Sequence, residues 1–158
     1  DKKMILLKEY YWSPEQQGGR EKTTNEFADD MANFLSNNSI SNCTIVVDPS
    51  ASTLILSLKN RFRTANTKAT IKKGDNDVLE GIATTCNLFE NNQILIDKSC
   101  KNYIREVHGY SWGRNDKPKK EEDHCVDAHR YIVNHCFTKK KLKIRHKSAT
   151  NNQANKLW

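Results

Sequence analysis

The order of apolar and polar segments predicts an α/β fold, in which helices lie on the faces of a sheet that contains parallel strands. Residues 44–47 form a short β-branched run of the kind that fills a buried strand. Residues 23–35 and 76–89 instead carry apolar side chains at helical spacing behind a capping residue. Because strand-like and helix-like segments alternate along the chain, we expect helices packed on a sheet.

Length and composition fit one globular domain. The chain has 158 residues, of which 36% are hydrophobic, and a formal net charge of +7. That length provides enough apolar side chains for a core. Because no run of 18 apolar residues is present and the first apolar stretch is too short for a signal peptide, we expect neither a membrane span nor a leader. The sequence begins without methionine and runs directly into a strand-like segment, so we expect a fragment of a longer chain.

The five cysteines are scattered along the chain and form no C-x-x-C pair. An odd number of widely spaced cysteines indicates reduced thiols in a cytosolic protein. A zinc site built from cysteines and histidines of residues 100–136 is the alternative, but its spacings match no standard zinc module.

Positive charge is concentrated at the carboxyl terminus. Residues 138–158 hold seven of the 26 Lys and Arg residues and none of the 19 Asp and Glu residues, so the rest of the chain has no net formal charge. A segment of like charges with few apolar side chains does not bury itself in a core. The sequence therefore predicts a folded domain over residues 1–137 and a flexible basic tail over residues 138–158.

The first elements are a strand, a loop and a helix. Residues 3–12 have the apolar and aromatic composition of a strand, whereas residues 13–22 contain a proline and two glycines, which favour a loop. Thr23 and Glu26 have the spacing of a capping box, which begins a helix. That helix should end near residues 37–38.

The later elements continue the alternation. The predicted elements are a strand ending at Asp48, a helix begun by Ser50 or Ser52, a strand over 67–71, a turn over 72–75, a helix capped by Asn76 or Asp77, a strand over 93–96, a helix over 99–107, a loop or small hairpin over 109–120 and a helix over 122–136. Tyr110 and Trp112 are expected to pack beneath the loop, with stacking on DNA bases as the alternative.

Two of these elements carry side chains that suit a divalent cation. His124 and Asp127 are three residues apart on a predicted helix, so they project from the same side. Asp48 lies at the carboxyl end of a predicted central strand, where open α/β sheets place their ligands. The alternatives are a solvated first turn with capping acids for the helix, and a helix cap for Asp48. Asp123 is either an auxiliary ligand or a cap.

An ordered set of motifs extends from about Leu6 to Val133. The motifs are Lys8-Glu9-Tyr10-Tyr11, Lys22-Thr23 with Ala28-Asp29-Asp30, Val47-Asp48-Pro49-Ser50-Ala51, Val78-Leu79-Glu80-Gly81-Ile82, Tyr110-Ser111-Trp112, and Asp123-His124 with Asp127-Ala128 and Arg130-Tyr131. Each motif is weakly specific alone, but their order and spacing resemble the carboxy-terminal nuclease domain of the large terminase subunit of tailed bacteriophages.

The resemblance implies a ribonuclease-H-like mixed sheet flanked by helices, and metal-dependent cleavage of double-stranded concatemeric DNA. It assigns Asp48 and Asp127 to a site for two Mg²⁺ or Mn²⁺ ions, with His124 close to the metals and Asp123 as a further candidate ligand. The family's first acid lies on an opening strand that this sequence does not contain, so the acid set is incomplete here. A second departure is Gly113, where the family usually has an acid.

The resemblance also implies partners: double-stranded DNA, an upstream ATPase domain, the small terminase subunit and the portal protein, in the cytoplasm of a bacterial host. The sequence contains no G-x-x-x-x-G-K-[ST] loop, so we expect no ATP hydrolysis by this chain alone. Basic residues near the acids and in the tail are expected to bind DNA phosphates. They are Arg20, Lys22, Lys117, Lys119, Lys120, Lys139, Lys140 and Lys141.

Two other functions stay open. A catalytically incomplete prophage remnant could bind DNA or the portal without cutting. A different ribonuclease-H-like enzyme, such as a resolvase or integrase, is disfavoured by the ordered motifs.

Removing residues 138–158 should flatten the salt dependence of DNA binding by several units of log–log slope, because each phosphate neutralised contributes about 0.9 unit. The measurement is fluorescence anisotropy of a labelled duplex at several salt concentrations. A full-length variant with the seven basic tail residues changed to Gln separates charge from length and should match the truncation. An unchanged slope in both variants would assign the tail to another partner.

Overall fold

The computed structural model describes residues 2–65, 67–114, 117–119 and 122–138. Within these ranges strands and helices alternate, as predicted. The strands are β1 (Met4–Leu6), β2 (Asn42–Val47), β3 (Lys68–Lys73) and β4 (Ile94–Ile96), and the helices are α1 (Thr24–Asn37), α2 (Ser52–Arg63), α3 (Val78–Glu90), α4 (Lys101–Gly109) and α5 (His124–Cys136). A 3₁₀ turn over Glu15–Gln17 lies in the loop before α1. None of the described helices has the length and apolar character that a membrane span requires.

The four strands pair in parallel, as two separate two-stranded sheets. β1 pairs with β4, and β2 pairs with β3 along its whole length. Parallel neighbours need a crossover connection, which α2 supplies between β2 and β3. Because Val47 lies opposite Lys73, both strands of the second sheet end at the same edge. The predicted parallel pairing of the strand before Asp48 is confirmed.

One hydrophobic core lies between α1, α2 and the β2–β3 sheet. The predicted capping box at the start of α1 is present, because the Thr23 hydroxyl accepts from the Glu26 amide and the Glu26 carboxylate accepts from the Thr23 amide. Small side chains one turn apart on the buried face let α1 and α2 approach closely. The buried residues are Ala28, Ala32, Leu35, Val47, Ile55, Leu58 and Phe62.

A second core lies between the β1–β4 sheet, α3 and α5. Leu88, Ile94 and Val133 are buried there, with Met4 and Leu6 packed against them. α5 contacts α3 and α4 as well as β2. It therefore joins the second core to the sheet that carries Asp48.

An open groove of about 790 Å³ separates β1 from the carboxyl end of α1 and from α5. Ile5 is 57% exposed and Leu7 is 68% exposed beside it. Ala128, in the middle of α5, is also exposed in this groove. Apolar side chains exposed along one groove mark a surface that further polypeptide can cover.

The first strand is shorter than predicted. Residues 8–12 form no strand, because Glu9 turns toward α4. Its carboxylate accepts hydrogen bonds from the backbone amides of Asn102 at 2.9 Å and Tyr103 at 3.0 Å. These amides begin α4 and have no partner within the helix, so Glu9 satisfies them at the expense of strand pairing.

Two further predictions differ from the structure. Lys72 and Lys73, predicted in a turn, are the last residues of β3 because their backbones pair with β2. Residues 109–120, predicted as a loop or a small hairpin, form a loop with a single antiparallel bridge between Trp112 and Pro118 in the part that the structure describes. Trp112 is 56% exposed, so the expectation that it packs beneath the loop is wrong.

His129 of α5 contacts both α4 and β1. The Tyr103 hydroxyl lies 2.9 Å from His129 Nδ1, and Met4 Sδ lies 3.0 Å from His129 Nε2. The residue is 7% exposed. Burial lowers the pKa of His129 to about 4, because the charged imidazolium would lose its hydration. His129 is therefore neutral in the folded protein at pH 7.

The stability of the fold should depend on pH through His129. Its pKa is lower in the folded chain than the value of about 6.5 in an unfolded chain. Its contribution is therefore complete above pH 6.5 and is lost as the pH falls toward 4. The loss should reach roughly 2–3 kcal/mol. Urea denaturation at several pH values between 4 and 7 measures how the free energy of unfolding depends on pH. The slope of that dependence should be smaller for His129→Gln than for the native chain. His108→Gln removes an exposed histidine and should keep the native slope; a native slope in His129→Gln would contradict the assignment.

Candidate active site

Asp48 lies directly after β2, in the turn that leads to α2. Its Oδ1 accepts hydrogen bonds from the amide and the hydroxyl of Ser50, both at 2.7 Å. The hydrogen bonds from Ser50, assisted by the Tyr131 hydroxyl, lower the pKa of the Asp48 carboxyl. α2 begins after Ala51 without a side-chain cap. Asp48 therefore closes the preceding turn and does not cap the helix.

Tyr131 of α5 holds the other oxygen of Asp48. Its hydroxyl donates to Asp48 Oδ2 at 2.9 Å, and the side chain is buried. The ring lies against Gly74, where an added Cβ would overlap it. The Gly74 amide donates to the Val47 carbonyl at 2.8 Å, which fixes this turn beside the end of β2. The absence of a side chain at Gly74 therefore gives Tyr131 its position.

Asp127 is held by Arg130, one turn further along α5. Arg130 Nε and Nη2 donate to Asp127 Oδ1 at 3.2 and 3.1 Å. The Arg130 side chain is 3% exposed and that of Asp127 is 24% exposed. A buried guanidinium next to a partly exposed carboxylate restricts its rotamer and offsets its charge.

One carboxamide joins the two acidic groups. Asn76 Oδ1 lies 3.3 Å from the Tyr131 hydroxyl and 3.5 Å from Arg130 Nη2. Because Tyr131 contacts Asp48 and Arg130 contacts Asp127, neighbouring residues of α5 connect the two carboxylates through Asn76. The acids, far apart in sequence, are thus linked by a chain of polar contacts, in which the single Tyr131 hydroxyl proton is donated to Asp48.

Asp48, Asp127 and His124 line the same cleft, which has a volume of about 370 Å³. His124 is the exposed first residue of α5. Carboxylate oxygens and an imidazole nitrogen suit a divalent cation. In the described part of the chain, however, no group of three or more His, Cys, Asp or Glu side chains could hold a metal ion. The donors fit a cation in kind but are fewer than a complete metal site needs.

Asp123 stands apart from this cleft. It is 9% exposed, immediately precedes α5 and makes no side-chain hydrogen bond to the first turn of the helix. It is also absent from the cleft wall. The capping alternative for Asp123 is therefore wrong, and its role as an auxiliary ligand stays a prediction.

The basic residues predicted to bind DNA have different environments. Lys22 is 9% exposed, is ion-paired with Asp30, and its Nζ lies 3.7 Å from the centre of the Trp12 ring. Arg20 is paired with Glu26 at the surface. Both cations thus form ion pairs with acidic residues of the same chain, and their contact with DNA stays a prediction. Lys117 and Lys119 are exposed, whereas Lys120, Lys139, Lys140 and Lys141 lie outside the described residues.

Two cations near Asp48 escape prediction from the sequence. Lys72 and Lys73 are exposed at the carboxyl end of β3, and neither makes an ion pair within the described residues. The register places Lys73 opposite Val47, the residue before Asp48. A prediction of parallel pairing between the two strands would have brought these lysines to the acid.

Acids that reach one cleft from a strand end and from a facing helix of an α/β fold are typical of ribonuclease-H-like nucleases. A family profile described as the terminase RNaseH-like domain matches residues 16–136. The chain belongs to this family, the nuclease domain of the large terminase subunit, and the resemblance and the fold inferred from the sequence are confirmed. No curated protein matches the sequence.

Solved structures of the large terminase from a thermophilic bacteriophage are similar to this chain. One crystal form is 29% identical, with a TM-score of 0.71 over 84% of this chain and 32% of that chain. A complex of that terminase with ADP is 30% identical, with a TM-score of 0.72 over 84% and 33%. A third structure is 29% identical, with a TM-score of 0.73 over 85% and 34%. The chain spans about a third of the length of these relatives.

Gly74→Ala should destabilise the protein by roughly 1–3 kcal/mol, because the added methyl group overlaps the Tyr131 ring and overpacks the site. Urea denaturation measures the change. Gly109→Ala is the matched control, since nothing lies within 4 Å of a Cβ there. Because Gly109 is the last residue of α4, alanine should be neutral or mildly stabilising. Equal stability of the Gly74 and Gly109 variants would show that Tyr131 does not depend on Gly74.

Proposed function

We propose that this chain is the metal-dependent endonuclease domain of a phage or prophage DNA-packaging terminase, cutting double-stranded concatemeric DNA. The observation that carries the proposal is the single cleft lined by Asp48, Asp127 and His124, in a chain of the terminase nuclease family. This cleft is accessible to a phosphate group, because His124 is exposed and Asp127 is partly exposed.

Asp48 and Asp127 would hold Mg²⁺ or Mn²⁺, with two ions expected, His124 close to the metals and Asp123 as a further candidate ligand from the sequence. Bound divalent ions neutralise charge on the phosphate and lower the pKa of water that attacks it. The chain's own residues set up this site: Ser50 and Tyr131 keep the Asp48 carboxyl ionised and oriented. Arg130 restricts the orientation of the Asp127 carboxylate through its hydrogen bonds. His124 would act as a ligand or would orient water.

The donor set needs at least one more acid. We propose that an upstream extended segment supplies it and lies in the groove between β1, the carboxyl end of α1 and α5. β1 pairs on one side with β4 and has no second partner among the described strands. Ala128 lines both the groove and the cleft, so a strand in the groove would pass next to Asp127. Unpaired strand edges favour such an addition.

Phosphate contacts would come from cations around the cleft. Lys73 lies opposite Val47, the residue before Asp48, with Lys72 next to it on β3, and Lys117 and Lys119 lie on the loop before α5. Arg20, Lys22, Lys120 and the tail lysines at 139–141 remain candidates from the sequence. Contacts of this kind position DNA without reading its sequence.

The wider partners are also proposals. By analogy with the family, an upstream ATPase domain, the small terminase subunit and the portal would act with this domain in the host cytoplasm. The similar phage terminase structures include complexes with ADP and with ATP-gamma-S. Those nucleotides are bound by a chain of which this one spans about a third.

A non-catalytic remnant that binds DNA or the portal is the second candidate. The absence of a third acidic ligand among the described residues favours it. The two candidates differ in one observable: only the nuclease gains activity when upstream sequence containing a carboxylate is restored.

A chain extended upstream should nick and cut plasmid DNA in Mn²⁺ and stop in EDTA, and Asp48→Asn or Asp127→Asn should reduce cutting at least 100-fold, because each change removes an anionic ligand. Gel assays of cleavage measure the rate, and circular dichroism checks the fold. The 158-residue chain alone should be weak or inactive.

Asp97→Asn is the matched control. Asp97 follows β4 and accepts from the Ser99 amide at 2.8 Å, which repeats the turn at Asp48 away from the cleft. This variant should cut normally. Full activity in either the Asp48 or the Asp127 variant would remove the metal-site assignment.

A further inference from the structure

The first turn of α5 is capped by a side chain from another helix. Glu106 of α4 accepts hydrogen bonds at its Oε2 from the backbone amides of Cys125 at 2.6 Å and Val126 at 3.2 Å. The first amides of a helix have no partner within the helix and need an external acceptor. Asp123 occupies the position before the helix but makes no capping bond. Glu106 therefore caps α5 in place of the residue that precedes the helix.

The environment of Glu106 makes this cap specific. Glu106 is 2% exposed, and an ionised carboxylate is buried only where hydrogen bonds and favourable dipoles compensate for lost hydration. The amino end of a helix provides both, since its amides and its dipole favour negative charge. The second oxygen, Oε1, is buried without a hydrogen-bond partner among the described residues. The compensation thus comes through Oε2 and α5.

The cap lies behind the two candidate ligands of α5. The Asp127 amide donates to the Asp123 carbonyl at 2.8 Å, which is the first hydrogen bond of the helix. His124 is the first helical residue. If the Cys125 and Val126 amides lost their acceptor, this turn would fray first, and both side chains would lose their fixed positions. Glu106 itself lies outside the cleft.

We propose that Glu106 is a positioning residue for metal binding: its carboxylate holds the first turn of α5 so that Asp127 and His124 face Asp48. The proposal rests on the proposed function, because it concerns cation binding by the same cleft. Outer residues that orient ligands typically change metal affinity by about 10–100-fold when they are removed.

The test measures Mn²⁺ binding to the 158-residue chain. Binding is monitored in NMR titrations by the paramagnetic broadening of the Asp127 and Ala128 amide signals. Glu106→Ala should weaken the apparent Mn²⁺ affinity at least tenfold and speed hydrogen exchange of the Cys125 and Val126 amides. Glu106→Gln keeps an oxygen that can accept both amides, so its affinity should stay within about threefold of the native chain.

Thr23→Ala is the control for a general loss of stability. It removes the capping box of α1, which also leaves first-turn amides without their side-chain acceptor, and should leave Mn²⁺ affinity unchanged. If Glu106→Ala does not fold, Glu106→Asp replaces it, since the shorter side chain keeps the charge but cannot reach both amides. That variant should bind Mn²⁺ several-fold more weakly.

The outcomes separate the two claims. Native Mn²⁺ affinity in a folded Glu106→Ala or Glu106→Asp variant would overturn the positioning role alone. A Gln variant as weak as the Ala variant would also overturn it, because the amide hydrogen bonds would not be the cause. If Mn²⁺ broadens no Asp127 signal of the native chain at any concentration, the proposed metal site fails instead.

Discussion

The hydrogen bond from the Tyr131 hydroxyl to the Asp48 carboxylate joins the two halves of the molecule at the candidate site. Each half has its own two-stranded sheet and its own core. α5 packs in the second half, yet it reaches β2 through Tyr131. The close approach is possible because residue 74 is glycine. The position of Asp127 relative to Asp48 thus follows from how α5 seats on the end of β2.

The charges at the site obey a second constraint. Two carboxylates that share a cleft repel each other, and burial would add a desolvation cost. The protein offsets this with the buried Arg130 guanidinium on Asp127 and with the hydroxyl and amide donors around Asp48. The contacts around Asp48 lower the pKa of its carboxyl. Together with Glu106 of α4, which accepts hydrogen bonds from the first amides of α5, the donors on both acids form an outer layer around the proposed ligands.

Much of the fold follows from local patterns in the sequence. The Thr23–Glu26 capping box and the Asp77 cap each begin a helix where predicted, because such caps act through bonds three residues away. The β-branched run before Asp48 forms the predicted parallel strand, but the strand is less buried than predicted, since only Val47 is fully buried and Thr44 is exposed. The ends of strands follow less directly from local sequence. β1 ends before Glu9 because the Glu9 carboxylate accepts hydrogen bonds from amides more than 90 residues away.

The site shows the same division between local and distant causes. Asp48 and the Asp127–His124 pair follow from a strand end and from helical spacing, and the resemblance to the terminase family adds their expected roles. The contacts of Tyr131 with Asp48 and of Glu106 with Cys125 cross between elements, so spacing within one element does not reveal them. Lys72 and Lys73 join the site only through the register of two strands.

The most direct test of this account is the anomalous diffraction of Mn²⁺ in crystals of the upstream-extended protein. The account predicts Mn²⁺ between Asp48 and Asp127, with two ions about 3.5–4 Å apart and ligated by both carboxylates. Mn²⁺ absent from this cleft at saturating concentration, or bound elsewhere while Asp48 keeps its contacts with Ser50 and Tyr131 and Asp127 its contact with Arg130, would contradict it.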